Sequence, residues 1–251
     1  MGLDVPLVEL LVVSVINPQA SHFARFFSMS GEERISPVLT PVPAPAPAQP
    51  VKAVLWDVGG VLLDWDPRHL YRKLFGADVE GMEEFLANVC TMPWHAQQDL
   101  GRSIDEACAE LSKQHPRQAS LILAWAERNE EMVKGPVEGS IELLAEVVEA
   151  GVRCYALTNM ERESFERRAR SYEFFDWFDG CFVSGFEGVM KPDPRFFKLA
   201  LERFALVPEE TLFTDDKPDN VAAAAGLDVP ATVFRDASSF RSELVSRGVL
   251  T

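Results

Sequence analysis

Several side chains of the kinds that bind metal ions or phosphate follow apolar runs with the pattern of β-strands. An aspartate is ionised at neutral pH and acts as a nucleophile without a separate base. Three carboxylates close together repel one another unless a cation lies among them, and an all-oxygen ligand set favours Mg²⁺. The residues concerned are Asp57, Thr158 with Asn159, Lys191, and Asp215 with Asp216.

These residue types suit the transfer of a phosphoryl group. Asp57 would attack phosphorus, and a Mg²⁺ ion together with Lys191 would offset the repulsion between the two anions. The hydroxyl of Thr158 and nearby backbone N–H groups would hold one phosphoryl oxygen. The intermediate would be an aspartyl phosphate that water hydrolyses. The sequence therefore predicts an enzyme that hydrolyses a small phosphorylated metabolite, with Mg²⁺ as cofactor.

The strand that must position Asp57 is the apolar run from Val51 to Trp56, which contains β-branched residues. It ends at Asp57 and is followed by Gly59 and Gly60, so it predicts a buried strand that delivers a carboxylate into a tight turn. Because glycine has no Cβ, the backbone there can approach a ligand closely or adopt a positive φ. Taken alone, the pattern also fits a turn in which Asp57 only caps the chain.

Strands and helices alternate from Pro136 onward. The predicted strands cover residues 152–157, 181–184, 211–214 and 231–234, and helical patterns separate them. This alternation predicts right-handed βαβ units and an α/β fold with a doubly wound parallel sheet. The carboxyl ends of such strands share one crevice, so polar groups far apart in the sequence can meet there.

Residues 67–135 predict an all-helical domain inserted after the first strand. Ser103 to Glu106 form a capping box, and a helical apolar stripe follows at Ile104, Ala107, Cys108 and Leu111. The α/β core then comprises residues 51–66 and 136–251. Residues 1–50 are predicted to be a disordered N-terminal extension that ends in a proline-rich linker.

Composition limits the partners of the chain. The formal net charge is −15, from 24 basic and 39 acidic residues, and the absence of a long basic cluster argues against nucleic acid. No apolar run reaches the roughly 18 to 20 residues of a membrane span. Four widely spaced cysteines predict buried thiols in a reducing compartment, and hence a cytoplasmic protein. The protein is expected to be a monomer or a homodimer.

Four sequence motifs resemble, in order, those of the haloacid dehalogenase-like superfamily of hydrolases. They are Asp57-Val-Gly-Gly-Val, Leu157-Thr158-Asn159, Lys191-Pro, and Asp215-Asp216-Lys-Pro-Asp-Asn220. The resemblance covers about Lys52 to Val249. It implies that the helical insert is a cap that closes over the site and selects the substrate.

The resemblance also implies a role for each motif residue. Asp57 is similar to the nucleophile, Thr158 to the phosphate-binding hydroxyl and Lys191 to the charge-balancing lysine. Asp215 and Asp216 are similar to the metal-binding acids, with Asp216 as the closest ligand. The implied site comprises Asp57 and Lys191 for catalysis; Thr158, Asn159 and Gly60 for substrate binding; and Asp57, the carbonyl of Gly59, Asp215 and Asp216 for the metal.

One position departs from the family pattern. Phosphatases of this family usually carry a second aspartate, a general acid and base, two residues after the nucleophile, and this chain has Gly59 there. A general acid typically contributes about 10²- to 10⁴-fold to the rate. Asp64, the predicted catalytic substitute, and Asp66 can replace it if the loop folds back. A subgroup with Asp-x-Gly-Gly-Val followed by Asp-x-Asp looks like this chain, and its members are regarded as sugar-phosphate phosphatases.

Two other functions stay open at this point. In a 2-haloacid dehalogenase the same aspartate displaces halide from carbon without a metal, which fits Gly59 but not the paired acids. In a non-catalytic binding or regulatory protein the fold is kept and turnover is lost. Within the insert, Trp94, His95 and Trp125 are expected in the core and rim of the cap, and contact of Trp94 or His95 with substrate is a further alternative.

Overall fold

A five-stranded parallel sheet forms the centre of the part of the chain that the structure describes. That part is residues 50–251 of a computed structural model, so the predicted N-terminal extension lies outside the described residues apart from Pro50. The strands are β1 (Ala53–Trp56), β2 (Leu63–Trp65), β3 (Val133–Pro136), β4 (Arg153–Thr158), β5 (Gly180–Val183), β6 (Thr211–Asp215) and β7 (Ala231–Val233). The sheet has the order β5-β4-β1-β6-β7, and β2 pairs with β3 in a separate ribbon.

Helices connect the strands and cover the sheet. They are α1 (Pro67–Phe75), α2 (Val79–Asn88), α3 (Met92–Asp99), α4 (Ile104–Gln114), α5 (Ala119–Glu127), α6 (Ser140–Glu149), α7 (Arg162–Ser171), α8 (Ser184–Glu187), α9 (Pro194–Arg203), α10 (Pro218–Ala225) and α11 (Ala237–Ser246). None of the helices in the described range is both long and apolar enough to cross a membrane.

The register of the sheet sets the position of the polar strand ends. Trp56 on the central strand β1 lies beside Ala156 of β4 and Thr214 of β6, and all these strands run parallel. Asp57, Thr158 and Asp215 therefore reach the same edge of the sheet. Strand β1 is buried on both faces, as expected for a strand inside a parallel sheet.

Alternate residues of β1 pack against different layers. Val54 and Trp56 belong to a core cluster that includes side chains of α6 and α11. Ala53 and Leu55 belong to a second cluster that includes side chains of α9 and α10. Helices thus cover both faces of the sheet, and the predicted doubly wound α/β fold is confirmed.

Helices α1 to α5 lie between β2 and β3 and have a core of their own. Tyr71, Phe85, Cys108 and Trp125 are among its buried side chains. Ser103 caps α4 by accepting a hydrogen bond from the N–H of Glu106, which confirms the predicted cap. We refer to residues 67–132 as the helical insert. Its division from the core as a separate domain stays a prediction.

The ribbon of β2 and β3 was not predicted. Leu63 pairs with Pro136 and Trp65 with Val133 in antiparallel register. The sequence from 133 to 136 is Val-Lys-Gly-Pro, and Gly and Pro are depleted in strands, so it carries a weak strand signal. The ribbon places the start and the end of the helical insert side by side.

The four cysteines are all free thiols, as predicted. Cys90, Cys108 and Cys154 are buried and Cys181 is partly buried. Burial raises the pKa of the thiol of Cys181 to about 11, which keeps it protonated at neutral pH.

Candidate active site

Asp57 lies directly after β1 and is nearly buried, with 6% of its surface exposed. Its N–H donates to the carbonyl of Thr214 at 3.0 Å, which continues the sheet pairing by one residue. Its Oδ1 accepts a hydrogen bond from the N–H of Val58 at 2.7 Å and lies 2.8 Å from Nζ of Lys191. The carboxylate orientation is therefore fixed through one of its two oxygens.

Lys191 joins three elements through its ammonium group. Nζ lies 2.8 Å from Asp57 Oδ1, 2.6 Å from Asp215 Oδ2 and 2.7 Å from the carbonyl of Leu157. An ammonium has three N–H donors, and these acceptors account for all three. The side chain is 1% exposed, so it balances two buried carboxylates away from solvent.

Asn159 holds the backbone of Lys191 in place. Its Nδ2 donates to the carbonyl of Lys191 at 2.8 Å, and its Oδ1 accepts the N–H of the same residue at 2.9 Å. Both ends of the amide therefore bind one residue of the neighbouring loop, whose peptide bond to Pro192 is cis. Asn159 borders the cavity, but these bonds give it a positioning role toward Lys191.

Asp215 is fully buried at the end of β6. Asn220 donates from Nδ2 to both of its oxygens at 2.9 Å, and the N–H of Lys217 donates to Oδ1 at 2.9 Å. No role for Asn220 was predicted from the sequence. Its position in the first turn of α10, five residues after Asp215, is the signal that points to this contact.

Asp216 has an oxygen without a protein partner. Its Oδ1 is buried and makes no hydrogen bond to any residue of the described range. Asp57, Asp215 and Asp216 each offer one oxygen, and these atoms lie within 4.8 Å of one another. A buried carboxylate oxygen without a donor is costly, and oxygen ligands at this density suit Mg²⁺. The residues present therefore fit a divalent cation.

Gly60 allows Asp216 to reach this position. A Cβ built on Gly60 would lie 2.7 Å from Asp216 Oδ2, and the φ angle of Gly60 is +80°. Its N–H donates to the carbonyl of Leu63 at 2.8 Å. The predicted role of Gly60 in substrate binding would need that N–H, which is already occupied by Leu63. The geometry therefore favours a steric role for Gly60 instead.

The charges of the cluster affect its protonation. Burial raises the pKa of the Asp57 carboxyl to about 7, while the ammonium of Lys191 acts to lower it and Asp215 raises it further. Burial also raises the pKa of Asp216, with Asp215 contributing in the same direction. Burial acts to lower the pKa of Lys191, but Asp57 and Asp215 outweigh that effect and the pKa is raised. A bound cation would favour the ionised carboxylates.

A cavity of about 650 Å³ opens above this cluster. Thr158, which is 1% exposed, lines it from the end of β4, as do Gly59 and Gly60 from the turn. The opposite wall comes from the ribbon and the helical insert and contains both apolar and polar side chains. Its apolar members include Leu63, Trp65, Met92, Ala96 and Val133.

Asp64 is not brought to this cavity. Its neighbours Leu63 and Trp65 line the cavity, and successive side chains of a strand point to opposite faces. Asp64 Oδ1 instead lies 2.9 Å from Nε2 of His69. Asp66 does line the cavity, where it caps α1.

The insert and α7 contribute further polar side chains to the cavity wall. As a group, these side chains were not predicted from the sequence. His95 and Asp99 come from α3, and Glu161 and Arg168 from α7 and its N-cap. Arg168 donates to Oδ1 of Asn129 at 2.9 Å, so the core and the insert are hydrogen-bonded here. Their packing depends on contacts across the chain, and no short motif encodes it.

Comparisons with known proteins agree with this geometry. The sequence matches the model of the haloacid dehalogenase-like hydrolase family over residues 51–228. It is 28% identical over 194 residues to a sesquiterpene phosphatase of Aspergillus oryzae, covering 77% of this chain and 94% of that protein.

Two solved structures share the fold. One is a HAD family enzyme of Bacteroides thetaiotaomicron in complex with magnesium and inorganic phosphate, with a TM-score of 0.57, 21% identity, and coverage of 74% of this chain and 95% of that chain. The other is L-2-haloacid dehalogenase from Xanthobacter autotrophicus with chloropropionic acid covalently bound. Its TM-score is 0.54 and its identity 19%, and the match covers 80% of this chain and 85% of that chain.

Proposed function

The chain belongs to the haloacid dehalogenase-like hydrolases, and we propose that it is a Mg²⁺-dependent phosphatase that acts on a small organic phosphomonoester through an aspartyl phosphate. The observation that carries the proposal is the cluster of three carboxylates within 4.8 Å beside the buried ammonium of Lys191. The name of the Aspergillus oryzae relative, a phosphatase, supports it.

Asp57 is the nucleophile of this proposal. Both of its carboxylate contacts, to Val58 N–H and Lys191 Nζ, are made by Oδ1, which leaves Oδ2 as the oxygen that attacks phosphorus. The buried ammonium of Lys191 favours the ionised form of the carboxylate and offsets its repulsion toward the phosphoryl group. The hydroxyl of Thr158 binds a phosphoryl oxygen from the end of the neighbouring strand.

Asp57, Asp215, Asp216 and the carbonyl of Gly59 would hold Mg²⁺. When bound, the ion neutralises negative charge on the phosphoryl oxygens. Asp215 is fixed by Lys191, Asn220 and the N–H of Lys217, so it sets the positions of the groups around it.

Dehalogenation is the second candidate. The fold is shared with a haloacid dehalogenase, and Gly59 removes the acid that a phosphatase uses. The carboxylate cluster favours the phosphatase, because displacement of halide from carbon has no phosphoryl charge to neutralise. The sequence also left open a non-catalytic binding or regulatory role.

The test is hydrolysis of p-nitrophenyl phosphate and of a panel of phosphorylated metabolites by the purified full chain. We expect activity with Mg²⁺, loss of activity in EDTA, and loss in Asp57→Asn, which keeps the size of the side chain. Equal activity in EDTA would refute the metal-dependent mechanism. Release of halide from 2-chloropropionate would favour the dehalogenase, and identical behaviour of the wild type and Asp57→Asn would favour a binding protein.

A further inference from the structure

The proposed reaction requires a proton donor that position 59 does not provide. When the ester bond breaks, the departing oxygen of an alkyl phosphate carries a negative charge unless it receives a proton. A general acid typically contributes about 10²- to 10⁴-fold at this step. Gly59 has no side chain, and Asp64 lies away from the cavity, so another group in the cavity wall must act.

Most acidic groups of the cavity wall already have other partners. Asp66 Oδ1 accepts the N–H of Arg68 at 2.8 Å as the cap of α1 and also lies 3.4 Å from its guanidinium. Both oxygens of Glu161 accept N–H groups in the first turn of α7. Asp219 is exposed at the start of α10. Apart from the metal cluster, one buried pair of titratable side chains in the wall then remains as a candidate.

That pair is His95 and Asp99, which lie one turn apart on α3. Each residue is 8% exposed, and His95 Nε2 lies 3.6 Å from Asp99 Oδ1. His95 Nδ1 is buried and has no hydrogen-bond partner within the described part of the chain. The ring stacks on Trp65, with centroids 5.2 Å apart and planes at 16°. Nδ1 is covered by protein atoms, whereas His95 and Asp99 both line the cavity. The proton that a substrate can reach is therefore the one shared between Nε2 and the Asp99 carboxylate.

We propose that the His95–Asp99 pair donates a proton to the leaving-group oxygen and later accepts one from water, an inference that rests on the proposed phosphatase function. In the first step Asp57 Oδ2 bonds to phosphorus, the bond from phosphorus to the ester oxygen breaks, and that oxygen takes the proton. In the second step the pair removes a proton from water, whose oxygen displaces Asp57 from phosphorus. The products are the alcohol and inorganic phosphate.

The surroundings of the pair support proton exchange. Burial lowers the pKa of His95, and Asp99 opposes that effect. Burial raises the pKa of Asp99, and His95 opposes that effect. These shifts bring the two groups toward sharing one proton as a coupled pair. Other charged groups face them from the core: Glu161 and Arg168 of α7, and Lys217 before α10.

The test compares two esters of similar size that differ in their leaving groups. Benzyl phosphate releases an alkoxide that needs a proton, whereas p-nitrophenyl phosphate releases a stable phenolate. The measurement is kcat/KM with Mg²⁺, which covers the steps up to release of the alcohol. In His95→Asn we expect a fall of about 10²- to 10³-fold with benzyl phosphate and less than about tenfold with p-nitrophenyl phosphate. Equal falls, or no fall, would overturn the proposal.

The isosteric variant Asp99→Asn provides an independent test if His95→Asn does not fold. We expect the same selective loss, and we expect the alkaline limb of the kcat/KM profile for benzyl phosphate to move to lower pH. The shift has this sign because Asp99 stabilises the protonated form of His95. An unmoved limb with an unchanged ratio between the two esters would contradict the assignment.

Position 59 offers a rescue experiment. A Cβ on Gly59 meets no heavy atom within 4 Å, so the Cβ of an introduced aspartate does not clash there. In the double variant Gly59→Asp/His95→Asn we expect kcat/KM for benzyl phosphate to recover at least about tenfold. Absence of recovery would mean that His95→Asn removed something other than a proton donor.

His69 provides a matched control. His69, in α1, also faces an aspartate, with Nε2 2.9 Å from Asp64 Oδ1, but neither residue of this pair lines the cavity. In His69→Asn the ratio of kcat/KM between the two esters should not change, and a selective loss there would contradict the proposal.

If the wild type hydrolyses neither ester with Mg²⁺, the phosphatase proposal itself fails. If it hydrolyses both and the variants keep the ratio, only the proton-donor assignment fails.

Discussion

The two walls of the cavity differ in the number of charged groups that contact one another directly. At the strand ends, Lys191 contacts two carboxylates and a carbonyl, and Asn159 binds the Lys191 backbone at both ends of its amide. On the insert side, His95 and Asp99 lie 3.6 Å apart in a wall that also contains the apolar side chains of Trp65, Met92 and Ala96.

This difference separates two tasks. The strand-end wall fixes its charges before any substrate arrives, which is the arrangement that stabilises a charged transition state most effectively. In our proposal the insert wall supplies the proton donor and the contacts with the leaving group. Variants of the strand-end wall should therefore change the stability and the rate with every ester, and variants of the insert wall should change the preference among esters.

Lys191→Met should have the largest effect. It leaves Asp57 and Asp215 without their shared cation in a site that is almost fully buried. We expect a loss of about 3 to 5 kcal/mol in the free energy of unfolding, measured by urea denaturation, together with loss of phosphatase activity. A stable Lys191→Met variant would show that the strand-end wall does not depend on this ammonium.

Mg²⁺ should stabilise the fold, and more so at higher pH. Burial raises the pKa of Asp57 from 3.8 to about 7, so its contribution to stability is present below about pH 4 and is lost as the pH rises through about 7. Mg²⁺ favours the carboxylate form, so the rise in Tm on adding Mg²⁺ should be larger at about pH 8 than at about pH 5. At 100 times its Kd, Mg²⁺ should add about 2.7 kcal/mol.

The comparison that checks this expectation is the same pair of thermal scans on Asp57→Asn. That variant lacks the titrating carboxyl, so its response to Mg²⁺ should be smaller and should change less with pH. A wild type whose Tm does not respond to Mg²⁺ at either pH would argue against the metal site.

The two glycines of the turn should behave differently. Gly60→Ala places a Cβ 2.7 Å from Asp216 Oδ2 at a φ of +80°, which should lower the free energy of unfolding by about 1 to 2 kcal/mol and weaken Mg²⁺ binding. Gly59→Ala meets no atom within 4 Å and should change stability by less than about 0.5 kcal/mol. Similar losses in both variants would show that the approach of Asp216 is not what requires Gly60.

Met92→Ala should have the smallest effect. Met92 lines the insert wall and is 48% exposed, so its removal should change the free energy of unfolding by less than about 0.5 kcal/mol. We expect KM values for esters with large and small leaving groups to change by different factors. A uniform fall in kcat with unchanged KM would contradict the division of tasks between the walls.

Much of the strand-end wall was predictable from the sequence. Asp57, Thr158 and Asp215 each follow a recognisable strand, and parallel pairing brings the ends of adjacent strands together. The position of Asp64 was not predictable, because it depends on which face of β2 it occupies and β2 itself gave no clear signal. Asp99 and Arg168 were missed because they line the same cavity only when the insert packs on α7.

The ribbon of β2 and β3 has a consequence for how this fold can vary. Its two strands place the exit to the helical insert and the return from it next to each other, with Trp65 opposite Val133. A loop whose ends already touch can be exchanged for one of another length without changing the pairing of the five parallel strands. Evolution can therefore replace the substrate-facing wall while every charge at the strand ends keeps its place.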